Sequence, residues 1–143
     1  MIAAALSPTP ELEAAVPRGP RDYRLAQRVV LSLALAKRLD GAALISFCSD
    51  GRYEEAIVTL ATLARVPVKV TEQLISGDRP DPILILCKAA GLTWPAVKAL
   101  ILLRPDGAAM PAPELDAAFA NFGRLSTSTA QRVVRFWQVR DGA

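Results

Sequence analysis

The sequence predicts an all-α fold of about seven helices, arranged as stacked helix-turn-helix pairs in an irregular, HEAT-like helical repeat or an orthogonal bundle. Three observations carry this. From residue 21 onward, apolar residues recur at the 3.6-residue spacing of a helix. No segment alternates with the period of two that a half-buried strand requires. One helix-turn-helix pattern occurs three times. Composition agrees: hydrophobic residues make up 52% of the chain but aromatics only 6%. The core must therefore be built from Ala, Leu, Val and Ile, which suit closely packed helices.

Pro8, Pro10, Pro17 and Pro20 fall within residues 1–20. Each fixes φ and removes a backbone donor, so this stretch is expected to be a flexible tail, with residues 21–143 as one all-helical domain. In the first helix Ala26, Val29, Val30, Leu33 and Lys37 follow helical spacing. Leu31 and Leu35 extend its apolar surface around the helix, which predicts central burial or contact with another chain. Asp40-Gly41 is expected to end it. A short helix over about Ala42 to Cys48 follows, closed by Ser49-Asp50-Gly51.

The next helix, about Tyr53 to Arg65, carries the stripe Ile57, Leu60, Ala61 and Ala64. Pro67 opens another, since its missing N–H is harmless in a first turn, and Val70, Leu74 and Ile75 are expected to point inward. Residues 77–82 form a Gly- and Pro-rich break before a helix over 83–90. Thr93 is a natural N-cap, Pro95 lies in the following first turn, and Val97, Leu100 and Ile101 form the stripe. Pro105-Asp106-Gly107 ends that helix, and Pro111 and Pro113 are expected in a loop. Leu115, Ala118, Phe119 and Phe122 mark a helix from about Glu114. The last helix begins near Ser126 and presents Ala130, Val133, Val134 and Trp137 on one side.

The segments Leu63–Ile75, Ala89–Ile101 and Phe122–Val134 align without gaps. Val66, Leu92 and Leu125 occupy the same place at the turn, and Leu74-Ile75, Leu100-Ile101 and Val133-Val134 lie one element later. The turn residue is apolar and plugs the angle between two helices. One such unit cannot bury its own apolar face, but stacked neighbours can. The spacings are unequal (92 − 66 = 26; 125 − 92 = 33), which fits an irregular array better than a regular solenoid.

The run Ile83–Leu100, ILILCKAAGLTWPAVKAL, and the ending Ala130–Trp137, AQRVVRFW, resemble the bacterial family called domain of unknown function 2336. The layout from Tyr53 to Leu74 is similar, and the resemblance spans roughly residues 23–140. It implies an all-helical bacterial protein and brings no activity or catalytic residues with it.

Chemistry-bearing residues are sparse. The chain has no His, which removes the commonest general base and metal ligand. It has no nucleophile-elbow serine and no glycine-rich phosphate loop. Glu54-Glu55 falls in a first helical turn, where carboxylates complement the helix dipole. Cys48 and Cys87 each sit in an apolar run and are expected to be reduced core residues. No catalytic, cofactor or metal site is therefore expected. No targeting segment or run of about 20 apolar residues is evident, so the expected location is cytoplasmic, away from the membrane.

A non-enzymatic binding module for another protein is the favoured expectation. The candidate contact residues are Trp94, at a helix start, Lys98, Arg132 and Arg135, on outward positions, and Trp137, which packing on its own stripe also explains. Self-association through the apolar first helix is a further expectation. The alternative is a nucleic-acid binder using the last unit, whose Ser126, Thr127, Ser128, Gln131, Arg132 and Arg135 are phosphate- and base-contacting types. Against that stand a net charge of only +3 and an N-capping role for the Ser/Thr cluster.

Overall fold

Local capping chemistry sets where the helices begin and end. In the computed structural model, which describes residues 22–77, 79–103 and 110–139, eight α-helices and no strand occur among the described residues. They are α1 (Arg24–Leu35), α2 (Gly41–Ser49), α3 (Tyr53–Ala64), α4 (Val68–Ile75), α5 (Asp81–Ala89), α6 (Trp94–Leu103), α7 (Ala112–Arg124) and α8 (Thr127–Val139). The expected tail, residues 1–20, and the Pro105-Asp106-Gly107 terminator lie outside the described residues.

Asp40 accepts a hydrogen bond from the Ala43 N–H at 3.0 Å, so it opens α2 rather than closing α1. α1 instead ends at Leu35, followed by Lys37 in the left-handed region. Asp81 and Pro82, expected in a break, occupy the first turn of α5, and Pro113, expected in a loop, occupies that of α7. In each case Pro lacks only an N–H that a first turn leaves unbonded.

Four helices end in one turn. Lys37, Gly51, Arg65 and Gly91 all have φ between 59° and 78°. In each turn the left-handed residue donates to a carbonyl three back, and the next residue donates to one five back. Gly91 N bonds Lys88 O at 3.2 Å and Leu92 N bonds Cys87 O at 2.9 Å; Arg65 N bonds Thr62 O at 3.3 Å and Val66 N bonds Ala61 O at 3.0 Å. This is the Schellman arrangement, which satisfies last-turn carbonyls. The first two sequence-aligned units therefore share a turn, with Val66 buried and Leu92 half-buried as apolar plugs. The third does not: Leu125 is extended at φ −76°, ψ 126°, and Arg124 remains helical.

The core centres on α3 and α5. Ala56, Ile57, Val58, Thr59, Leu60 and Ala61 are all buried, so α3 is covered on every side, by α1, α2, α4 and α5. α5 buries Ile83, Leu84, Leu86 and Cys87 and meets α3, α4, α6, α7 and α8. Of the two alternatives expected for the first helix, central burial or contact with another chain, the central position belongs to α3. α1 buries only Ala26 and Val30, while Leu25, Leu31 and Leu35 are 72%, 58% and 76% exposed. It touches the core chiefly through α3, and one neighbour covers one stripe. Phe119, one of the residues that mark this helix in the sequence, is 56% exposed; Ala118 and Phe122 form the buried side of α7.

Candidate partner-binding site on helix α8

α8 packs principally on α5 rather than on α7, its neighbour in sequence. Ala130 and Val134 are its buried residues, with Trp137 half-buried against the core. Ser126 closes the N-terminus: its Oγ accepts from Thr129 N at 3.1 Å and donates to Thr129 Oγ1 at 2.8 Å. The Ser/Thr cluster at the start of α8 therefore has a capping role.

The opposite face carries Ser128, Gln131, Arg132, Arg135, Phe136 and Val139, all exposed. Phe136 is 71% and Val139 68% exposed. No acidic residue occurs in α8. Arginine and aromatic side chains side by side on one helix face are the residue types that most often anchor protein interfaces.

Beside this face lies a groove of about 330 Å³. Leu63, Ala64 and Arg65 at the end of α3, Ala89 at the end of α5, and Gln131, Val134, Arg135 and Gln138 of α8 line it. Gln138 Nε2 donates to the Ala64 carbonyl at 3.1 Å, tying α8 to the end of the central helix. Arg65 and Arg135 supply the only charges in the lining, and among the described residues neither has an ion-pair partner. The arrangement is suited to holding an anionic group by charge-assisted hydrogen bonds.

The five sequence-predicted contact residues fall in different places. Arg132 and Arg135 share the exposed face of α8, and Trp137 lies on its inner side. Trp94 is half-buried at the start of α6 and packs on α7, its ring 5.1 Å from Phe119 edge-on and 6.2 Å from Phe122. Lys88 Nζ sits 4.1 Å from the centroid of the Phe122 ring, so this cluster has its own cation–π contact. Lys98 is exposed in a separate groove with Cys48, Ser49, Pro95, Ala99, Leu102 and Leu103.

Sequence reasoning missed Arg65 and Gln138. The signal for Arg65 was in the alignment: it stands where the second unit has Gly91, a place that favours glycine. Gln138 gave no signal, because its role depends on α8 reaching the end of α3.

Other chemistry is quiet. Burial pushes the half-buried Cys48 thiol up to about 12, and burial together with neighbouring Cys48 raises Cys87. Both are free thiols, neutral at pH 7. No group of three or more His, Cys, Asp or Glu placed to hold a metal occurs among the described residues, and no helix there is long and apolar enough to cross a membrane.

Compared with known proteins, the chain matches, over residues 3–135, the model of a family described as "uncharacterised protein conserved in bacteria (DUF2336)". No curated protein and no solved structure matches it.

Proposed function

Since the chain belongs to this uncharacterised bacterial family, which brings no activity to carry over, we propose that it is a non-catalytic binding module for another protein. The contact surface in this proposal is the outer face of α8 with the groove beside it. The observation that carries it is the placement of Arg132, Arg135, Phe136 and Val139 outward on an acid-free helix. Exposed Arg and Phe are frequent interface anchors, and a preformed helix spares a partner the backbone ordering cost of presenting them. The absence of histidine from the whole sequence supports the non-catalytic reading. A helical-repeat, HEAT-like origin rests on the turn shared by the first two aligned units.

Nucleic acid is the competing partner, through the same arginines. A duplex-binding surface needs a longer basic stripe than two arginines on one helix, and Ser126 is already engaged in capping. The test is affinity capture from bacterial lysate with wild type and with Arg132→Glu/Arg135→Glu, each with and without nuclease. A discrete protein retained by wild type after nuclease, and lost from a double variant of unchanged melting temperature, supports the proposal. Retention by the double variant removes α8 from consideration. Material lost on nuclease treatment, with steep salt dependence, transfers the face to nucleic acid.

A further inference from the structure

We propose that the groove between the end of α3 and α8 is a carboxylate-binding subsite, in which Arg65 and Arg135 clamp an Asp or Glu side chain of an acidic partner segment. This deepens, and rests on, the assignment of α8 as the contact surface. Arg65 has φ 61° and ψ 39°, the left-handed region, at a helix end where Gly51, Gly91 and Lys37 serve elsewhere in the chain. A side chain there strains the backbone, whereas glycine would not. The turn itself does not need the guanidinium. Backbone N–H groups of Arg65 and Val66 bond the Thr62 and Ala61 carbonyls, and Gln138 takes that of Ala64. What the arginine adds is a second cation in a groove that already holds Arg135, with the Gln131 and Gln138 side chains alongside and no carboxylate in the lining.

The surroundings select the kind of anion. The groove lies at the C-terminal ends of α3 and α5, where the helix dipoles present partial negative charge. Phosphate dianions favour the opposite, N-terminal ends of helices. A single-charged carboxylate meets less repulsion, and its two oxygens match the guanidinium fork. The volume of about 330 Å³ accommodates a side chain and its flanking backbone.

The probe is a capped hexaglutamate peptide, with hexaglutamine and inorganic phosphate as comparisons, titrated into the ¹⁵N-labelled full chain while the arginine Nε–Hε signals are followed. Saturable shifts of Arg65 and Arg135 with hexaglutamate, absent with hexaglutamine, are expected. Arg65→Gly should weaken this binding at least fivefold while its melting temperature stays level or rises, because glycine relieves the left-handed strain. Arg135→Gln should weaken it similarly, and Arg65→Lys should restore part of it. Equal shifts at Arg28 and Arg79, or unchanged binding in Arg65→Gly, overturn the subsite. Tighter binding of phosphate than of the peptide at the same pair overturns the choice of carboxylate. If Arg65→Gly leaves lysate capture intact while Arg132→Glu/Arg135→Glu abolishes it, the subsite fails but the α8 surface stands. If capture survives both, the α8 surface fails.

Discussion

Thr59 lies midway along the central helix, 0% exposed, with a hydroxyl that has no hydrogen-bond partner. An unmet buried hydroxyl loses its hydration without return, at a cost of about 1–3 kcal/mol. Thr71, equally buried, avoids this by donating to the Pro67 carbonyl at 3.0 Å. Thr59→Val keeps the shape and removes the desolvated group, so it should raise stability by about 1 kcal/mol in urea denaturation. Thr71→Val should lower stability or leave it unchanged. The thiols give a pH signature with the opposite sense. Cys48 and Cys87 stay protonated in the folded chain to a higher pH than in the unfolded one, whose thiols ionise near ~8.5. Above that pH the unfolded state binds fewer protons than the folded, so stability falls as pH rises from about 9 towards 12. Cys48→Ala/Cys87→Ala, less stable at pH 7 through lost packing, should show a flatter decline of melting temperature over that range. Full burial predicts that the Cys87 thiol of the native protein does not react with a thiol reagent at pH 8, that half-buried Cys48 reacts more slowly than in denaturant, and that both react in denaturant.

At the level of helices, boundaries follow from single residues with a defined job. Asp40→Ala removes the hydrogen bond to Ala43 N and should cost about 1 kcal/mol, with the loss confined to the α2 amides in hydrogen exchange. Trp94→Ala removes a half-buried ring from its contacts with Phe119 and Phe122 and should cost about 2 kcal/mol, leaving capture through α8 unchanged. These features differ in how far sequence reveals them. Pro67 and Thr93-Trp94-Pro95 mark helix starts directly, because proline and its neighbours restrict the local backbone. The stripes of α3 and α6 are equally legible, since buried residues at 57, 60, 61 and 64 and at 97, 100 and 101 follow the period. The end of α1 is not, because Lys37 in a left-handed turn has no compositional mark of the kind Gly51 provides. Nor is the outward face of α1. Leu25, Leu31 and Leu35 are chemically indistinguishable from core leucines, and their exposure depends on which neighbours the chain brings to that helix.

For the whole molecule, the same limit governs the candidate site. Helix content could be read from periodicity, whereas the meeting of Arg65, Arg135 and Gln138 required knowing that α8 folds back onto α5 and the end of α3. That long-range packing also predicts how the protein unfolds. In a linear array each unit touches only its neighbours, so terminal units melt first. Here α3 and α5 are shared by helices from both ends of the described chain, and α8 depends on α5 rather than on α7. α3 is the main partner of α1 and α4, α5 is that of α7 and α8, and α2 and α6, which pack chiefly on each other, meet α3 and α5 respectively. Unfolding should therefore be a single cooperative transition. Trp94, at the start of α6 and packed on α7, and Trp137, in α8, are the two tryptophans of the chain and report separate regions. With Trp94→Phe or Trp137→Phe isolating each fluorophore, the urea midpoints should coincide with each other and with the loss of helical circular dichroism. Leu60 in α3 is fully buried, and Leu60→Ala should cost about 3 kcal/mol. At a slope of about 2 kcal/mol/M this moves the midpoint seen by both tryptophans down together by about 1.5 M. A lower midpoint for Trp137 alone, untouched by Leu60→Ala, would instead mean that α8 melts independently, and a binding face on it would have to be formed or held by its partner.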